Sequence, residues 1–150
     1  MTAVNFYHIE WRGLEEAVAG LLVQAQARGM RVMVRGPDAG VLRHLDDWLW
    51  QHPDDSFLPH AFEGGRHDAD QPVLIGQGAA ANGARAVMWL GGSVIDLDEA
   101  ARLERCWLLF EAADAAQLAA ARTEWRRVRE AGFAAEYWSD ASGRWERGPR

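Results

Sequence analysis

VNFYHIEWRGLEEAVAGLLVQAQARGMRVMV, residues 4–34, is the stretch whose reading decides the fold. Val4-Asn5-Phe6-Tyr7-His8-Ile9 is rich in apolar and aromatic side chains and reads as a strand. Between residues 14 and 28 the period changes: Leu14, Ala17, Val18, Leu21, Leu22 and Ala25 recur at helical spacing. Gly29 suits the left-handed position that closes a helix. Met30-Arg31-Val32-Met33-Val34 then returns to a strand. Downstream, Gly36-Pro37-Asp38 turns the chain into a second helix over residues 38–51, with Val41, Leu42, Leu45, Trp48 and Leu49 on one face and Pro53 as its stop. Strand, helix, strand, helix with short connections predicts a parallel sheet.

Further along, Val73-Leu74-Ile75, Ala86-Val87-Met88-Trp89-Leu90 and Trp107-Leu108-Leu109-Phe110 are short apolar runs of the kind that form strands covered on both faces. Residues 52–71 read as loop, and residues 76–83 and 91–103 as connections, with a helical turn at 98–103. A long helix is expected over residues 113–130, with Gly132 as its stop. The tail from Phe133 alternates weakly and carries Tyr137, Trp138 and Trp145, and fraying is expected at about residues 146–150, where Gly148-Pro149 falls. With no internal repeat and no linker, residues 1–150 are expected to form one three-layer α/β domain. Its sheet should be largely parallel or mixed and flanked by helices, a Rossmann-like topology without a nucleotide site.

The 49% hydrophobic and 25% charged residues disfavour disorder. No apolar run approaches the roughly 18 residues of a membrane span, and MTAVNFYHIEW lacks the pattern of a secretory signal. A cytoplasmic protein with no membrane partner is expected. Cys106 has no second cysteine to pair with and reads as a buried, inert thiol. All 16 basic side chains are arginine, against 22 acids, for a net charge of −6. That balance disfavours whole-surface attraction to DNA, and the missing lysine removes Schiff-base chemistry. The charge is uneven: residues 1–121 hold nine arginines against seventeen acids, and residues 122–150 hold seven against five. Of the eight tryptophans some must be core, but aromatic and arginine side chains are also common interface anchors.

Catalytic patterns are absent from the sequence. The turn after the first strand, Trp11-Arg12-Gly13-Leu14, is not glycine-rich, a chain without lysine has no ordinary P-loop, and Gly76-Gln77-Gly78 is a weak match. Among His8, His44, His52, His60 and His67, the grouping of His60 and His67 with Asp68 and Asp70 suggests a metal site, but its spacing matches no common motif and residues 63–70 read as a solvated loop. His60 reads either as a structural hydrogen-bonding residue or as part of an interface. Asp96, Asp98 and Glu99 read as acids at a loop and helix start. No catalytic residue, cofactor or metal is therefore expected. The informative element is the last helix, where Arg122, Trp125, Arg126 and Arg129 fall at i, i+3, i+4 and i+7, within an arc of about 100°. Guanidinium groups beside an indole suit an acidic, hydrophobic peptide end. Leu118, Ala121, Trp125 and Val128 form an apolar stripe only slightly rotated from that arc. The pattern thus fits both a functional patch and a core-facing tryptophan flanked by solvated arginines.

With these residues in place, the chain resembles the chi subunit of bacterial DNA polymerase III holoenzyme. The resemblance rests on Asn5-Phe6-Tyr7, on Arg28-Gly29-Met30-Arg31-Val32, and on Leu45-Asp46-Asp47-Trp48-Leu49-Trp50 running through Pro53 into Ser56-Phe57-Leu58-Pro59-His60. It continues through Gln71-Pro72-Val73-Leu74-Ile75 and Arg122-Thr123-Glu124-Trp125-Arg126 to Ala131-Gly132-Phe133. The segment from Leu49 to His60 is the most specific.

The resemblance implies a non-catalytic accessory subunit that joins the clamp loader through a small partner, psi. It also implies a grip on the C-terminal tail of single-stranded DNA-binding protein, which is acidic and ends in an apolar residue and a carboxylate. DNA would be engaged mainly indirectly. The family's basic tail-binding positions match Arg122 and Arg126, and its aromatic position matches Trp125. Leu118 stands where the family carries a further lysine, a departure that implies either weaker tail binding or compensation by Arg129. Trp50, Pro53, Phe57, Pro59 and His60 match the psi-facing region. Two alternatives follow from the residues themselves: a direct single-stranded nucleic-acid binder using residues 122–150, and a small nucleotide-dependent transferase using the Gly76 region.

Overall fold

In a computed structural model the described residues are 2–52 and 58–148. The elements are β1 (Val4–Ile9), α1 (Leu14–Ala27), β2 (Val32–Arg35), α2 (Ala39–Gln51), β3 (Ala61–Phe62), β4 (Val73–Ile75), β5 (Ala86–Leu90), α3 (Leu97–Ala100), β6 (Arg105–Glu111), α4 (Ala115–Glu130), β7 (Ala135–Ser139) and β8 (Glu146–Arg147). The eight strands form one sheet in the order β3-β4-β2-β5-β6-β1-β7-β8. Every pairing is parallel except β7 with β8. The domain is therefore α/β, as the opening stretch predicts.

Alternation along the strands divides the core into two layers. Tyr7, Ile9, Val32, Val34, Met88, Trp107 and Leu109 pack on one side of the sheet with Leu21 and Leu22 of α1 and Leu42 and Leu45 of α2. Val4, Phe6, Met33, Val87, Trp89, Leu108 and Phe110 pack on the other, with Ala100 of α3 and Ala121 and Val128 of α4. Asp38 caps α2 by accepting from Gly40 N and Val41 N, and Asp114 caps α4 by accepting from Gln117 N. Gly29 and Gly132 stop α1 and α4 at φ of 71° and 93°.

Two short strands differ from the sequence reading. Residues 52–71 were expected to be loop, yet Ala61–Phe62 adds a strand at the sheet edge beside β4. Within the tail expected to fray at about residues 146–150, Ser139 pairs with Glu146 and Trp138 with Arg147, and Gly148 N donates to Tyr137 O at 2.8 Å, while residues 149–150 lie outside the described residues. Two-residue strands carry no periodic signal; their partners, not their side chains, order them.

The turn between β1 and α1 is held by a residue far along the chain. Asp140, fully buried, accepts hydrogen bonds from the successive backbone N–H groups of Glu10, Trp11 and Arg12 at 2.6, 3.0 and 3.1 Å, and the Arg12 guanidinium lies 3.3 Å away. Burial alone would raise its pKa, but the three backbone donors and Arg12 outweigh burial and hold it below the usual 3.8. Asp140→Ala should cost about 2–3 kcal/mol in denaturant unfolding. Because the native pKa is lowered, Asp140's contribution is present above about pH 4 and fades as the pH falls through the native value. The stability gap between wild type and Asp140→Ala should therefore narrow in acid.

Cys106 is fully buried, and burial first, then the charge of Glu99, pushes its thiol up to about 12. It should resist alkylation at pH 8 in the native protein and label at a normal thiol rate once guanidinium unfolds the chain.

Candidate functional site

Helix α4 crosses from β6 to β7 over β1, and its inner stripe covers the sheet. Ala121 and Val128 are buried, and the half-buried Trp125 meets Phe6 edge-on at 5.0 Å between ring centroids. Beside that contact lies a cavity of ≈ 250 Å³ walled by Phe6, His8, Phe110, Leu118, Ala121, Arg122, Trp125, Arg126 and Tyr137. It lies under α4, toward the carboxyl ends of β1 and β6, where ligands seat in open α/β sheets. Arg122 and Arg126 are exposed and form no ion pair among the described residues. The cavity therefore combines apolar aromatic walls with two cations held by a helix.

Four of the five residues singled out on this helix, Leu118, Arg122, Trp125 and Arg126, share the cavity wall. Arg129 is exposed in the last turn of α4 and is not among the wall residues, so the structure does not bring it to the departure at Leu118. Its position suits the negative end of the helix dipole.

The residues that sequence reasoning missed come from strands. Phe6 and His8 are two apart in β1 and so share a face, and parallel register sets His8 beside Phe110 and Phe6 beside Tyr137. The His8 ring stacks on Phe110 at 4.8 Å and 17°, and the Tyr137 hydroxyl lies 2.6 Å from His8 Nδ1. His8 Nε2 is buried and has no hydrogen-bond partner among the described residues. The one legible signal was the polar His8 in a largely apolar strand, on the same face as Phe6.

Glu124 is the other surprise on α4. It is 3% exposed, accepts from Ile95 N at 2.8 Å and pairs with Arg127 at 2.6 Å, so it clamps the segment before α3 to the helix. Arg127, one of the seven C-terminal arginines, is thereby committed to structure.

The second group of candidates surrounds the end of α2. Trp50 is 48% exposed; its ring stacks on His60 at 4.1 Å, and its side chain hydrogen-bonds to Asp46. His60 is only 3% exposed, with Nδ1 2.8 Å from Leu58 O and Nε2 3.2 Å from Asp46 O. It supports Trp50 from beneath rather than forming the surface itself. Burial raises the Asp46 pKa, partly offset by His60. Pro59 is half-buried, and Pro53 and Phe57 lie outside the described residues.

The turns where a nucleotide-binding fold holds phosphate are filled by the chain's own acids. Asp140 takes the N–H groups after β1, and Glu63 accepts from Gln77 N and Gly78 N at 2.8 and 3.0 Å. A side chain at Gly76 would collide with Glu63, 2.1 Å away. Asp96 caps α3, and Glu99 forms a two-pronged pair with Arg35, so these acids are structural.

Fold and cavity together define a three-layer α/β domain with a cationic, aromatic-walled site under its last long helix. The family model of the DNA polymerase III chi subunit, HolC, matches residues 1–136, and the chain belongs to that family. Membership gives it an accessory role in DNA polymerase III and places it in DNA replication. No curated protein matches the chain. No helix among the described residues is long and apolar enough to cross a membrane. Tyr137, Trp138, Trp145 and β8 lie beyond the matched residues.

Gly148 supports the cavity wall from the chain's end, because a Cβ there would fall 2.5 Å from the Tyr137 ring. Gly148→Val should displace that ring and lower stability by about 1–3 kcal/mol. Loss of the Tyr137–His8 contact would appear as a shift of the His8 ring nitrogen resonances.

Proposed function

We propose that the chain is a non-catalytic adaptor without a cofactor, joining single-stranded DNA-binding protein to the clamp-loader assembly of DNA polymerase III. The C-terminal tail of that protein would dock on α4. Its carboxylate and neighbouring acids pair with Arg122 and Arg126, and its terminal apolar side chain enters the cavity against Trp125 and Phe6. The observation that carries this reading is the clustering of two exposed arginines, without ion pairs among the described residues, at the rim of an aromatic cavity. The second partner, psi or an equivalent clamp-loader component, would meet the surface around Trp50 and Pro59, with His60 beneath it. That surface belongs to the α2 layer, across the sheet from α4. One domain can thus hold both partners without overlap. DNA is reached mainly through the bound protein, and the chain works in the cytoplasm at the replisome.

Titration of the intact protein with the tail peptide, followed by calorimetry or tryptophan fluorescence, tests the reading. Saturable binding that weakens with added salt and vanishes when the last residues are removed is expected. Arg126→Ala should cost on the order of 1–2 kcal/mol. Unchanged affinity in that variant would overturn the site, and no binding at low salt would overturn the function.

A further inference from the structure

The face opposite the α4 cavity carries a second cationic, aromatic cleft. It has a volume of ≈ 270 Å³ and lies between the second half of α1 and strands β1, β6 and β7. Its walls include Tyr7, Trp138 and Trp145, with Gln24, Arg28 and Arg105 around them. Tyr7 and Trp138 stack with centroids 5.8 Å apart and planes 8° apart, and Trp145 stands edge-on to Tyr7 at 4.8 Å. Arg12 sits over the Trp145 ring, 4.7 Å from its centroid, and is not a wall of the cleft. Trp138 and Trp145 are each only half-buried.

Charge at the cleft is positive despite the −6 of the whole chain. Arg28 and Arg105 make no ion pair among the described residues, whereas the nearby acids Glu136 and Asp140 are engaged by Arg147 and Arg12. Both free arginines also act on the buried Tyr7 phenol: burial raises its pKa most, Arg105 and Arg28 oppose the rise, and Glu136 adds to it.

Planar rings set beside uncommitted guanidinium groups are the recognition chemistry of single-stranded nucleic acid. The geometry points to a direct contact with single-stranded DNA at this cleft: one base stacks against Trp145 and Trp138, and the flanking phosphates pair with Arg28 and Arg105. A base and its sugar fit the volume. The contact is local, one or two nucleotides long, so it adds to the tail-mediated link rather than replacing it. It does not depend on tail binding.

The test is titration of the full chain with an oligothymidylate, followed by tryptophan quenching at several salt concentrations. Saturable quenching is expected, weakening with salt at a log–log slope near −1.4 for two phosphates (about −0.7 each). Arg28→Ala with Arg105→Ala should weaken binding at least tenfold and flatten that slope, and Trp145→Leu should weaken it several-fold. Arg126→Ala, across the sheet, should leave it unchanged. Should Trp145→Leu fail to fold, the exposed Arg28→Glu single variant carries the same reading. Absence of quenching at low salt would overturn the proposal. So would binding that Arg126→Ala abolishes and the Arg28 and Arg105 changes do not. Displacement of the bound oligonucleotide by an equimolar acidic peptide would overturn it in favour of a peptide site.

Discussion

Strand β1 is hydrogen-bonded on both sides, to β6 and to β7, and the rest of the structure depends on that double pairing. A strand so placed has both faces covered, which is why Val4, Phe6, Tyr7 and Ile9 are all buried. Its one short polar side chain is satisfied by its neighbours: Asn5 donates to Cys106 O and accepts from the Trp138 indole. The pairing also imposes a connection. Since β6 and β7 lie on either side of β1, the helix between them must pass over it, and α4 is drawn across Phe6 and His8. The candidate cavity is a direct result of that crossing.

The same arrangement brings the end of β7 beside the turn after β1, so Asp140 can reach three successive N–H groups. In nucleotide-binding relatives of this architecture that turn cradles a phosphate. Here a side-chain carboxylate from the same chain supplies the negative charge, and Glu15 and Glu16 occupy the first turn of α1. Glu63 at Gln77 and Gly78, and Asp68 at Gly64 and Gly65, repeat the device. Backbone donors committed to internal carboxylates are unavailable to external ones. Under the readings proposed above, anion recognition falls instead to arginine side chains, Arg28 just after α1, Arg122 and Arg126 of α4 and Arg105 of β6, whose guanidinium forks suit carboxylates and phosphates in less enclosed settings.

Much of the fold was legible because its long elements carry strong periods. The residues of α1, α2 and α4 that face the sheet follow the helical spacing, and β5 and β6 are unbroken apolar runs. Strands β3 and β8 were not legible, since two residues cannot display a period and their order comes from partners. The α4 contribution to the cavity was readable for the same reason as the helix itself: Leu118, Arg122, Trp125 and Arg126 are neighbours on one turn-to-turn path. The strand contribution was not. His8 and Tyr137 meet across 129 positions of chain, and only the parallel register of β1 with β7 places them together. The burial of Glu124 was not legible either, because Ile95 N, 29 positions away in the chain, joins Arg127 in satisfying it.

A sheet buried on both faces also bears on the adaptor role proposed above. The α4 cavity and the α1 cleft draw their strand residues from the same three strands, alternate side chains of β1 pointing one way or the other. Phe6 and His8 belong to the first, and Tyr7 between them belongs to the second. Ligands on the two sides would thus share a strand but no side chain. Energetic coupling between sites requires an element with two arrangements that both ligands bias. A doubly paired central strand, with its packed core on each face, offers no such element. Occupants of the two faces should therefore bind additively, and the link between them would be strengthened by proximity on one rigid body, through effective concentration, rather than by conformational signalling.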